Sequence, residues 1–146
     1  MTSFLPTSNL LGPVIALNGW AFVMEAWMYA TRMPAYRKID LKNTLTKAQL
    51  EEQTPAPVRW KADNYNHLME QPTQFYAIAL LLAIARGGKN DRIDAYLAWG
   101  YVGVRVVHSF VQVTTNHIMR RFGVFLVSSS LIAAMTFRAA KTVFRF

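Results

Sequence analysis

The chain has 146 residues, a single-domain length, with 53% hydrophobic and only 16% charged residues. Soluble domains carry about 25% charged residues and disordered chains need low hydrophobicity, so these figures exclude disorder and point to an integral membrane protein. The absence of cysteine excludes disulfides, zinc–thiolate sites and a cysteine nucleophile. The net charge of +8 lies between apolar stretches, without a run of five basic residues or a zinc-finger or RNP-type motif. It fits loops against anionic lipid head groups better than nucleic acid.

Four apolar segments follow in chain order. The first, about 10–31, is long enough for a hydrocarbon core that needs ~20 residues. Residues 1–10 hold no Lys or Arg, so it reads as a retained span and not a signal peptide, with Pro13 in its first turn. Residues 32–62 read as one long loop with Pro34, Pro55 and Pro57. The second segment, about 63–85, has a polar half (DNYNHLMEQP) and an apolar half (FYAIALLLAIA), and spans only if the polar half is sheltered. The third covers about 94–115 and the fourth about 122–140, joined through the short connections 86–93 and 116–121, which make neighbours antiparallel. The whole chain, 1–146, reads as a single transmembrane domain, an all-α integral membrane four-helix bundle.

Lys and Arg counts set the sidedness. Loops 32–62 and 116–121 hold nine (Arg32, Arg37, Lys38, Lys42, Lys47, Arg59, Lys61, Arg120, Arg121) against six on the other side, which places both loops in the cytoplasm. Charged groups at membrane depth cost at least ~2.5 kcal/mol each, so each needs a reason. Asn18, Glu25 and Arg32 share one face of the first segment. Asp63, His67, Glu70 and Gln74 form a stripe on the second, and Tyr101, Arg105, His108, Gln112 and Asn116 one on the third. The simplest arrangement turns all three stripes inward and pairs Glu70 with Arg105, either as helix glue or as part of a site. Three histidines without HExxH spacing argue against a metal, and no GxSxG, GxGxxG or Walker sequence occurs. Ser128–Ser130 read as a helix-packing run. Arg32, Arg59, Arg120 and Arg121 gather near the cytoplasmic ends, where planar guanidiniums suit an anionic ligand or lipid phosphate.

The stretches DNYNHLMEQPTQFYAIAL and YVGVRVVHSFVQVTTNHIMRRFG resemble the second and third helices of MAPEG proteins, the membrane-associated proteins in eicosanoid and glutathione metabolism, of the small bacterial type. The resemblance implies a homotrimeric transmembrane bundle, in the inner membrane if the source is bacterial. It also implies glutathione as co-substrate, bound between subunits, and transferase or peroxidase action on lipophilic electrophiles. It implies Arg121 as the catalytic, thiolate-stabilising residue. The implied glutathione-binding residues are Arg32, Arg59, Asn64, His67, Glu70, Arg105, His108 and Gln112. The sequence departs from the family at His67, where an asparagine is usual (asparagines stand at Asn64 and Asn66), and at Gln112, where a glutathione-contacting tyrosine is usual. Those departures keep a rival open: a non-enzymatic scaffold, lipid-binding protein or accessory subunit on the same fold.

Overall fold

The computed structural model describes residues 8–40, 45–89 and 91–145, and the regular elements among them are all helices. They are α1 (Leu11–Tyr36), α2 (Lys47–Gln53), α3 (Ala56–Glu70), α4 (Pro72–Ala85), α5 (Arg92–Thr114) and α6 (Ile118–Phe144). Lys42, one of the first-loop cations, lies outside the described residues.

The stretch 32–62 is not one loop. α1 continues through Pro34 to Tyr36, and α3 starts at Ala56 with Pro57 in its first turn, where a missing N–H costs least. Between them α2 is nucleated by a capping box: Thr46 Oγ1 accepts from the Gln49 amide at 3.4 Å, and Gln49 Oε1 accepts from the Thr46 amide at 2.9 Å.

α3 and α4 form one rod with a joint. Gln71 keeps helical angles (φ −66°, ψ −38°), but Pro72 has no N–H to continue the ladder. Gln71 Nε2 donates to Ser129 Oγ at 2.8 Å and Ser128 Oγ donates to Gln71 Oε1 at 3.3 Å, so the serine run of α6 braces the joint.

α5 packs on α6, α1 and α3, α4 packs on α6 and α1, and α1 lies along α3. Leu17, Phe75, Ala79, Leu82, Tyr101 and Met135 fill the main core, with Phe75 stacked on Tyr101 at 4.6 Å. Met24, Leu68 and Val113 form a second cluster beneath Trp20, whose Nε1 donates to Ser109 Oγ at 3.1 Å. Two rods, Ala56–Ala85 and Ile118–Phe144, are long and apolar enough to cross a membrane. The sequence suggested four. α1 and α5 carry Glu25, Asp94 and Arg105 along their lengths.

At the end opposite the amino terminus of α3, a charged clasp closes the α4–α5 turn. α4 ends in a Schellman motif: Gly87 donates to the Ile84 carbonyl at 2.9 Å and Gly88 to Ala83 at 3.4 Å, both glycines at positive φ (57° and 78°). Asp91 Oδ1 caps α5 through the amides of Ile93 and Asp94, at 2.8 and 3.1 Å. Asp94, fully buried, takes Arg86 Nε at 2.6 Å on one oxygen and Arg138 Nε on the other. Arg138 Nη2 also reaches Asp91 at 2.9 Å. Partial burial pushes the Asp91 carboxyl up, but the Asp94 amide, Arg138, the Ile93 amide and Arg86 together outweigh it and hold the group below the usual carboxylate range.

Candidate functional site

The polar stripe of α5 faces inward: Tyr101, Arg105, His108 and Gln112 are all buried. Arg105 Nη2 donates to the His67 carbonyl at 3.0 Å, while its Nε and Nη1 have no hydrogen-bond partner among the described residues. The pairing of Glu70 with Arg105 expected from sequence does not form. Glu70 ends α3 with its side chain 72% exposed, and its carboxylate lies 3.3 Å from His67 Nδ1. Asp63 and Gln74 are exposed too, so the α3–α4 stripe points outward and not inward. The reason is competition for the inner face: Leu68, Phe75, Ala79 and Leu82 fill the two cores, and a helix has only one such face. On α1, Asn18 is exposed, and Glu25 edges a small cavity of about 120 Å³ beside Tyr65 and Met69.

The remaining polar groups frame two clefts at the end where α1 stops and α3 and α6 begin. The first, about 270 Å³, lies under α2 and is lined by Arg32, Lys47, Arg59, Asp63, Asn66 and Asn116 among others. Three cations face it. Arg32 Nε donates to the Tyr36 hydroxyl at 2.6 Å, which aims the guanidinium along the last turn of α1. The second cleft, about 250 Å³, is lined by His67, His108, Ile118, Arg121, Phe122 and Phe125. It is apolar apart from two imidazoles and one guanidinium. The His67 and His108 rings lie 5.0 Å apart, and His67 lies 5.8 Å from Phe125.

Asn116 joins the two clefts. It lines the first, and its Oδ1 accepts from Arg121 Nη1 at 2.6 Å. It also turns the chain from α5 into α6 at φ 47°, a left-handed conformation that asparagine tolerates better than most residues. These two roles are separable. Asn116→Gly is expected to keep the turn and stability within about 0.5 kcal/mol while freeing Arg121, whereas Asn116→Ala should lose roughly 1 kcal/mol as well. Thermal unfolding of both variants checks this, and equal stabilities would contradict it.

The residues expected from sequence therefore separate into groups. Arg32 and Arg59 line the first cleft; His67, His108 and Arg121 line the second. Asn64, Arg105 and Gln112 line neither and are each 1% exposed within the interior, Gln112 Oε1 lying 3.2 Å from His108 Nε2. Glu70 stands beside His67 at the surface. The sequence reading did not assign Lys47, Asn66, Asn116, Phe122 or Phe125 to a site. Of these, only Asn116 carried a signal, its place on the α5 stripe. No group of three or more metal-ligating side chains occurs among the described residues.

A family model, the MAPEG family, matches residues 10–141. The chain belongs to the MAPEG family. No curated protein and no solved structure matches it. MAPEG proteins are membrane-associated, and glutathione-linked transfer and peroxide reduction are among their roles. The two apolar rods of this MAPEG chain agree with membrane association.

Proposed function

We propose that this MAPEG chain is a glutathione-dependent membrane enzyme that acts on lipophilic electrophiles, as a transferase or peroxidase. It would work as a trimer of four-helix transmembrane bundles, with the α2 end in the cytoplasm. The observation that carries this is the adjacency of the two clefts through Asn116: one rich in cations, the other apolar with Arg121 at its edge. Glutathione has two carboxylates and a thiol. Arg32 and Arg59 suit the carboxylates. Arg121 suits the sulfur, because a guanidinium favours thiolate over thiol. Phe122 and Phe125 give an apolar electrophile a place beside that sulfur. The thiolate attacks the electrophilic carbon, a carbon–sulfur bond forms, and the leaving group departs with its electron pair. The protein contributes proximity and electrostatic stabilisation.

One observation favours the rival scaffold or accessory role. Gln112, which the resemblance implies as a glutathione contact, is buried against His108 and lines neither cleft. Calorimetry with glutathione on the detergent-purified protein separates the two. The enzyme reading expects saturable binding, with a dissociation constant between about 1 μM and 1 mM. Absence of binding at ten times the upper limit overturns it in favour of the rival.

A further inference from the structure

His67 lines the second cleft, and the structure surrounds it with the parts of a proton acceptor. Its Nδ1 lies 3.3 Å from the Glu70 carboxylate. An ionised carboxylate only accepts hydrogen bonds, so Nδ1 must carry the proton. In the neutral ring that leaves Nε2 as the free acceptor. The ring lines the same cleft as Arg121 and packs against His108 and Phe125. The charged and titratable groups facing it are Glu70 on its own helix, Arg105 and His108 on α5, and Arg121 on α6. Glu70 is the anion among them. It orients the ring and offsets the positive charge that the ring gains on protonation, while Arg105 and Arg121 oppose that charge.

We infer that His67, oriented by Glu70, takes the proton from the glutathione thiol as the thiolate forms beside Arg121. The S–H bond breaks, its electron pair stays on sulfur, and the proton moves to His67 Nε2. The products are a thiolate next to Arg121 and an imidazolium next to Glu70. This assignment rests on the glutathione reading above. An amide side chain at this position could not accept the proton at neutral pH.

Proton release on binding decides the matter, because it reports where the thiol proton goes. Glutathione is titrated into the full-length protein at pH 7.5 in two buffers of different ionisation enthalpy, and thiolate is followed by its ultraviolet absorbance. The wild type is expected to release fewer protons to the buffer per thiolate formed than a variant without the imidazole, because the ring retains part of the thiol proton beside the thiolate and Glu70. His67→Asn is expected to release about one proton per thiolate formed. Glu70→Gln, an exposed change that keeps an oxygen acceptor for Nδ1 but removes the anion, should move release the same way and serves if His67→Asn does not fold. Thiolate formation with equal proton release in wild type and both variants overturns the role of His67 and leaves the glutathione reading intact. Release that appears in His108→Gln but not in His67→Asn overturns it in favour of His108. Absence of glutathione binding by the wild type overturns both readings.

Discussion

Arg121→Ala is expected to remove the ultraviolet thiolate signal of bound glutathione and to lower turnover by at least ~100-fold, the usual cost of deleting one preorganised electrostatic partner. The guanidinium lies at the edge of the apolar cleft, where low polarity strengthens its pull on a thiolate. Its hydrogen bond to Asn116 positions it without neutralising it. Glutathione binding should weaken less than turnover falls, because the carboxylate contacts at Arg32 and Arg59 are untouched. Arg120→Ala is the control. Arg120 is exposed on the same turn and lines neither cleft, so its loss should leave turnover within a factor of two or so. Unchanged turnover in Arg121→Ala would falsify the role assigned to it.

The second large effect lies at the other end of the molecule and concerns stability alone. Asp94→Ala should destabilise the chain by roughly 3 kcal/mol, because it strands two guanidiniums around an emptied buried position. The figure sits at the low end for such losses, since Arg86 and Arg138 keep 22% and 25% of their side-chain surface in contact with the surroundings. The melting temperature in detergent should fall by roughly 10 °C. Glutathione affinity of the folded protein should not change, because the clasp is remote from both clefts. Asp94→Asn keeps the volume and one acceptor and should lose less. Acid should loosen the same clasp. Asp91 has a folded-state pKa below its ordinary value, so its contribution is full above a pH of about 4 and is lost as the pH falls through the lowered value. A melting temperature indifferent to Asp94→Ala would show that the clasp is ornamental.

The buried polar face of α5 was legible because period and chemistry agree there. Tyr101, Arg105, His108 and Gln112 recur at helical spacing, and that face is the buried one. The same argument failed on α3 and α4. Periodicity groups Asp63, His67, Glu70 and Gln74 on one face, but it does not say which face meets the core, and Leu68, Phe75 and Ala79 took that place. Glu70 and Arg105 have opposite charges, yet sequence cannot say that Glu70 turns its exposed carboxylate to the His67 ring while the buried Arg105 bonds the His67 carbonyl. α2 was missed for another reason. Seven residues are too few to show a period, and only the Thr46 and Gln49 pair announces the helix. Without α2 there is no roof over the first cleft, so Lys47 could not be assigned to it. Charge and position near the segment ends grouped Arg32, Arg59, Arg120 and Arg121; the first two line the first cleft and Arg121 the second, while Arg120 lines neither, because that argument does not say which way each side chain faces.

The joint at Gln71 and Pro72 divides one rod into two parts with different obligations. Ala56–Glu70 carries Arg59, Asn64, His67 and Glu70, and Pro72–Ala85 carries none of the charged or imidazole side chains. The missing backbone bond at Pro72 uncouples their tilt, and two serines of α6 fix the angle at which they meet. A substitution in the first part can therefore alter the cleft without re-solving the packing of the second. Change that adjusts chemistry and change that preserves assembly fall on opposite sides of a single proline.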